Sequence, residues 1–230
     1  MLQPVLDWAR TDLEHPNPNG TTNLYFSHAQ FAYFDICILK REGAAADWPA
    51  DVLEEVEKLK KTMTPDDDHK LVENIIVKTQ GFVSGTIRED DEHPVELFRQ
   101  LLDLYKGITK DQLRENMRYF LEAIMPVCDE YDMRMCVHPD DPPFPILGLP
   151  RIVTCDEDIR WFLNAVDNPH NGLTFCAGPL ARSRAGPTTT WSTWPASMPD
   201  AHGLSICAHA TCSRTATLPR RRTWAGAPTS

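Results

Sequence analysis

An α/β fold with parallel strands is what the sequence predicts, on three observations. From residue 109 onward the segments alternate helix, strand, loop, helix, strand, an order that builds parallel sheets through crossover helices. The two strand candidates, "MRMCVH" (133–138) and "LTFCAG" (173–178), are short and mostly apolar, as buried strands are. The chain has 230 residues, 42% hydrophobic and 24% charged, enough for one sizeable core or two small ones.

Each element has a local reason. Residues 4–23 read as a loop punctuated by Asn-Pro and Asn-Gly steps. "LYFSHAQFAYFDICILKR" reads as a short extended piece, then a helix from about Ser27 to Lys40. In "DVLEEVEKLKKTM" (51–63), Val52, Val56 and Leu59 form one apolar face, and Glu54 and Lys58 stand four apart. Thr64, Pro65 and three aspartates make an N-cap, a first-position proline and dipole-matched acids for a helix running to about Lys78. Residues 80–94 read as a loop and 94–108 as a helix. Thr109 and Gln112 form a capping-box pattern that opens a long helix to about Asp129, with Leu113, Met117, Phe120, Leu121, Ile124 and Cys128 on one face. "TCDEDIRWFLNAV" (154–166) is a helix with Thr154 as its expected cap.

Charge divides the chain. The net charge is −10, which disfavours a nucleic-acid partner. From Pro179 on there are six arginines and one acid, giving +5; the remaining 17 basic and 32 acidic residues give −15. After Gly178 no helical or strand period is visible, so the C-terminal ~50 residues are expected to be irregular. No run approaches the roughly 18–20 apolar residues that span a bilayer, and "MLQPVLDWARTD" lacks a signal peptide's regions. A cytoplasmic chain with no membrane contact is expected. Seven cysteines without a CxxC pair argue against a disulfide scaffold, and burial is the simple expectation for Cys37, Cys128, Cys136 and Cys155.

Functional groups in parallel α/β folds gather at the C-terminal ends of strands. One end carries His138, Asp140 and Asp141; the other carries Cys176. Imidazole and thiolate both bind divalent transition metals. The aspartates suit metal binding, orientation of the histidine or binding of substrate hydroxyls. The plainer alternatives are a hydrogen-bonded structural histidine, a core cysteine and turn-capping aspartates. Pro139, Pro142, Pro143, Pro145 and Pro150 stiffen the loop and lower the entropy cost of holding it.

The stretches "PVLDWARTDL", "ILKREGA", "LRENMRYFLEAIMPV", "MRMCVHPDDPPFPILGLPRIV" and "GLTFCAG" occur in that order, and together they resemble the mannonate dehydratase family over roughly residues 4–178. The resemblance implies a partial (β/α)8 TIM barrel of the xylose-isomerase-like kind. Residues 1–178 would be a barrel fragment, with a helical insertion at about 24–108 and barrel strands near 133–138 and 173–177. The implied reaction is dehydration of D-mannonate to 2-keto-3-deoxy-D-gluconate in hexuronate catabolism, by loss of the C2 proton and the C3 hydroxyl. It implies Mn2+ (or Fe2+) as cofactor, His138 and Cys176 as metal ligands, and Asp140, Asp141, Arg10 and Asp7 on the substrate side. Trp8 and Asp12 would face the same rim. A homo-oligomer is the family-type expectation for the intact protein.

The chain also departs from the family pattern. "MLQ" stands where about a hundred residues holding the first four strands are expected, and Pro179 replaces a serine. The "HLR" and "RPDHGH" segments, which carry further ligands and the acid/base groups, have no counterpart. An expected Asp-Asn-Asp-Leu-Val-Asp-Met-Ala stretch, in GC-rich codons read one base out of step, gives Thr188 to Pro195 as they stand. The reading is a frameshift near residues 178–186, a disordered non-family tail over 179–230, and a chain of low stability without dehydratase activity. The alternative is a non-catalytic helical interaction or metal-binding fragment; a different sugar-acid isomerase or lyase on the same barrel is a third reading.

Overall fold

The computed structural model describes residues 8–80, 87 and 92–176, with the backbone of 204–207. Strands β1 (Asp12–Pro16) and β2 (Thr22–Tyr25) form an antiparallel hairpin, Asp12 opposite Tyr25 and Pro16 opposite Thr22. This corrects the loop expected over 4–23. The Asn-Pro-Asn-Gly turn closes it: Asn17 N donates to the Thr21 carbonyl at 2.8 Å, and Gly20 takes φ +80°. His15 stacks on Tyr25 at 4.2 Å.

The helical part follows. Ser27 caps α1 (His28–Tyr33), its hydroxyl accepting from Gln30 N, and the chain passes directly into a wider π-helical turn at Phe34–Ile38. Helix α2 spans Ala50–Thr62, and there Lys58 pairs with Glu55 at 2.6 Å rather than with the expected Glu54. Helix α3 (Pro65–Val72) has the full capping box, Thr64 with Asp67, and continues as a π-helical segment, Glu73–Lys78. Helix α4 runs Pro94–Asp103 and then tightens into successive turns through Ile108. Phe31, Phe34, Leu39, Ile75, Ile76 and Phe98 are fully buried here and form one core.

The α/β part begins with α5 (Lys110–Tyr131), capped by Thr109, whose hydroxyl accepts from Gln112 N. Strand β3 (Met135–Val137) follows, then α6 (Asp156–Ala165) and β4 (Asn171–Cys176). The strands are parallel, with Val137 opposite Leu173. Strand β5 (Leu204–Cys207) extends the sheet in the order β3-β4-β5, with Leu173 opposite Leu204. A regular strand therefore lies inside the C-terminal stretch expected to be irregular; nothing in its sequence pattern marks it. Among the described residues the fold is mixed α/β with an open three-stranded parallel sheet, and no closed barrel is formed.

Thr154 is not the cap of α6. Cys155 stands at the cap position, while Thr154 donates through N and Oγ to Asp158, at 3.1 and 2.6 Å. Asp158 is fully buried and also accepts from Lys110 and Arg114 of α5, both at 2.6 Å. Of the five described cysteines, none disulfide-bonded, Cys128 and Cys176 are buried; Cys37, Cys136 and Cys155 are half-buried, against the simple expectation.

At the base of the sheet, His170 sits between two carboxylates: Nδ1 is 2.8 Å from Asp129 and Nε2 is 3.0 Å from Asp132. Both nitrogens act as donors only in the imidazolium. The bond to Asp132, then that to Asp129, raises the His170 pKa above its ordinary 6.5. The resulting stabilisation is complete below pH 6.5 and is lost as pH rises through the raised value. Asp129 is held below its ordinary value by Asn168, then His170; Asp132 is held low by His170. Their contribution is lost as pH falls through those depressed values. Melting temperature should therefore decline from pH 6.5 upward in the wild type, and His170→Gln should remove that limb of the profile.

Candidate functional site

The sheet has a helix-covered face and an opposite face. Val137 and Leu173 pack with Ile159 and Leu163 of α6, so they mark the covered face. Side chains alternate along a strand. One residue beyond Val137, His138 is level with Thr174, and Cys176 is two further along β4. His138 and Cys176 thus share the face away from α6, at the C-terminal strand ends. Ideal strand spacing and rise put their Cα atoms about 8 Å apart.

His138 is exposed, and its Nδ1 lies 2.7 Å from the Pro139 carbonyl oxygen. A proton on Nδ1 leaves the Nε2 lone pair outward, the usual arrangement for a ligating histidine. Cys176 ends β4 and is buried. Among the described residues, however, no three His, Cys, Asp or Glu side chains converge to hold a metal. Two donors are fewer than the three or four protein ligands of common transition-metal sites, so these residues do not complete a metal centre alone.

Asp140 is turned toward the backbone. Its Oδ2 accepts from Ile152 N at 2.9 Å and Val153 N at 2.7 Å, its own N donates to the Val153 carbonyl, and Arg151 reaches Oδ1 at 3.4 Å. It ties the two ends of the proline loop together. Asp141 forms an ion pair with Arg10, and both are largely buried. The Asp141 carbonyl accepts from Ala9 N at 3.1 Å. Arg10 also donates to the Ala9 carbonyl and lies 5.5 Å over the Trp8 ring. Asp12 accepts from Glu14 N and approaches His15, within the hairpin. Asp7 lies outside the described residues.

Three residues that sequence reasoning missed hold this rim. Gln80, 1% exposed, donates from Nε2 to the Trp8 carbonyl at 3.1 Å. Buried Asn74 donates to the Thr11 carbonyl at 3.0 Å. Arg151 braces Asp140. The available signal was polar Asn74 against the apolar Ile75-Ile76-Val77 run, which points inward to an obligatory partner. A cavity of about 430 Å³, lined by Lys40, Arg41, Arg99, Tyr105 and Lys106 among others, contains none of the strand-end residues.

Replacing Asp140 strands two backbone donors and removes one carboxylate partner from the buried Arg151. Asp140→Ala should cost about 3 kcal/mol of stability, read as a lower urea midpoint, and Asp140→Asn, which keeps an acceptor oxygen, should cost less. An Asp140→Ala variant as stable as wild type would remove this role.

The D-mannonate dehydratase (UxuA) family model matches residues 1–187. A mannonate dehydratase from Marinomonas sp. (strain MWYL1) is 42% identical over 177 residues, covering 77% of this chain and 44% of that protein. A mannonate dehydratase from Chromohalobacter salexigens is 39% identical over 184 residues, covering 80% and 45%. The crystal structure of mannonate dehydratase from Streptococcus suis serotype 2 is similar at 29% identity and a TM-score of 0.46, over 78% of this chain and 35% of that one. The chain spans less than half the length of the curated relatives it matches. With the family model covering most of its length, the chain belongs to the D-mannonate dehydratase family.

Proposed function

We propose that this chain is part of a hydro-lyase that removes water from D-mannonate, giving 2-keto-3-deoxy-D-gluconate in hexuronate catabolism. One observation carries the reading: inside the family match, the "HPDDPP" loop follows β3 and sets His138 on the same sheet face as Cys176. The balance is simple. The C2 proton and the C3 hydroxyl leave as water, and the resulting enol becomes the 2-keto acid.

His138 and Cys176 are proposed as two ligands of a divalent ion, Mn2+ or Fe2+, which would polarise substrate oxygens when bound. The "HLR" and "RPDHGH" segments, to which the resemblance assigns the other ligands and the proton-transfer groups, have no counterpart in this sequence. Arg10, Asp141 and Asp140 are proposed to shape the substrate side by holding the rim, since their charged atoms already face one another or the backbone. Asp7 remains proposed as a substrate-side group. The setting proposed is the cytoplasm; among the described residues no helix is long and apolar enough to cross a membrane. A homo-oligomer is proposed for the intact protein.

The stretch beyond about residue 178 is proposed to be out-of-frame text. The family match ends at 187, nine residues past that boundary, and the +5 charge lies beyond the boundary. Sequencing the gene past the codon for Ser230 should find the family continuation in a neighbouring frame; its absence there removes the frameshift.

With two donors on one face and no third among the described residues, the 230-residue chain alone should not turn over D-mannonate with added Mn2+. Formation of the 2-keto acid by the purified chain, followed colorimetrically, would overturn that expectation.

A further inference from the structure

The cavity in the helical part has the build of a ligand site. Its volume, about 430 Å³, falls in the range of roughly 300–1,000 Å³ that holds small ligands. Three stretches far apart in sequence supply its walls: residues 39–42, part of 99–107, and 147–149. Buried Leu39, Leu102 and Leu147 form an apolar floor. Exposed Lys40, Glu42, Asp103 and Lys106 form a charged rim. An apolar floor with a few convergent polar groups is the usual anatomy of a small-molecule pocket. Neither His138 nor Cys176 lines it.

One donor edge of the cavity is fixed in advance. Fully buried Asp35 accepts from Arg41 Nε at 2.9 Å and Nη2 at 2.7 Å, and from Trp48 Nε1 at 3.3 Å. Asp47 accepts from the same Nη2 at 2.7 Å. The remaining nitrogen, Nη1, has no hydrogen-bond partner among the described residues. It lies beside Gly148, where an added Cβ would stand 3.1 Å away and where φ is +72°. A side chain at 148 would be strained and would crowd the guanidinium. The Leu39 carbonyl is likewise held, accepting from Arg99 Nε at 3.2 Å and Nη2 at 2.7 Å. A donor immobilised before the ligand arrives lowers the ordering cost of binding.

The charge balance selects the ligand. Lys40, Glu42, Asp103 and Lys106 make no side-chain hydrogen bond or ion pair among the described residues, and two positive and two negative charges cancel. Arg41 with Asp35 and Asp47 sums to −1, and Arg99 with Glu96 to zero. There is no excess of positive charge to hold a polyanion such as a nucleotide. Opposite charges around one cavity suit a ligand with one negative group and several hydroxyls. The lysines and Arg41 Nη1 donate to the negative group, the carboxylates accept from hydroxyls, and the apolar floor takes a C–H face. We propose that this cavity binds a sugar acid carrying a single carboxylate, at a second site apart from the strand-end residues. This goes beyond the proposed reaction and does not rest on it.

The test is isothermal titration of D-gluconate into the purified 230-residue chain, with EDTA present so that no divalent ion is bound. Saturable one-to-one binding is expected. D-sorbitol, which has the hydroxyls without the carboxylate, and inorganic phosphate, which has charge without the carbon chain, should each bind more weakly. Lys40→Gln with Lys106→Gln should weaken gluconate by roughly tenfold or more, the scale of a lost charge-assisted hydrogen bond. Lys106→Gln alone serves if the pair alters the helical circular dichroism. His138→Ala should leave binding unchanged. Three results would overturn the proposal: no saturable binding of gluconate, sorbitol or phosphate binding as tightly as gluconate, or binding indifferent to the lysine substitutions. Binding that survives those substitutions and is lost in His138→Ala would place the ligand at the strand ends, overturning the second site and leaving the proposed function standing.

Discussion

The fully buried Asp158 carboxylate is the contact around which the α/β part is organised. A charge removed from water is tolerated only with close partners, and Asp158 has four donors: Thr154 N and Oγ, Lys110 and Arg114. Thr154 fixes the first turn of α6; Lys110 and Arg114 fix the first turns of α5. Arg114 also lies 5.1 Å over the Trp161 ring, adding a second contact between the two helices. With α5 and α6 locked at their starts, Ile159 and Leu163 press on Leu173 and Val137, and β3 and β4 are held as parallel neighbours. The placement of His138 and Cys176 on one face follows from that register.

Around the strand ends, polar side chains serve the backbone first. Asp140 closes the proline loop through two N–H groups. Gln80 and Asn74 reach from the helical part to the carbonyls of Trp8 and Thr11. Arg10 and Asp141 neutralise each other over the Trp8 ring. The segment from Trp8 to Asp12 is thereby gripped from both sides, by the helical part and by the loop after β3. A rim built this way is rigid, because Asp140, Gln80 and Asn74 are each tied to named backbone groups.

Much of this was legible in the sequence where local chemistry decides the outcome. Ser27, Thr64 and Thr109 each cap a helix through a side-chain oxygen, and caps are written in short patterns. The strands at 135–137 and 171–176 were visible as apolar runs after helices. The β1–β2 hairpin was not, because its strands are short and carry Asp12, Glu14 and His15 rather than an apolar alternation. Strand β5 is positioned by pairing with β4, a tertiary contact with no local trace. Thr154 was misread, and Asp140 was left open between turn capping and a substrate role, for one reason: an acid or hydroxyl beside a turn has several backbone partners within reach, and only the fold selects among them. The family resemblance named His138 and Cys176; it could not show that Asp140 is engaged by the loop itself and Asp141 by Arg10.

The parallel pairing of β3 with β4 has a kinetic corollary. Val137 and Leu173, which face each other, are 36 residues apart along the chain. Asp12 and Tyr25 in the hairpin are only 13 apart. Contacts between distant residues carry a larger loop-closure cost and form late. During synthesis the hairpin emerges first and can settle while the sheet is still incomplete. Among the described residues the strand-end face is therefore assembled later than the hairpin, so slow or interrupted folding would cost the chain the alignment of His138 with Cys176 before its hairpin.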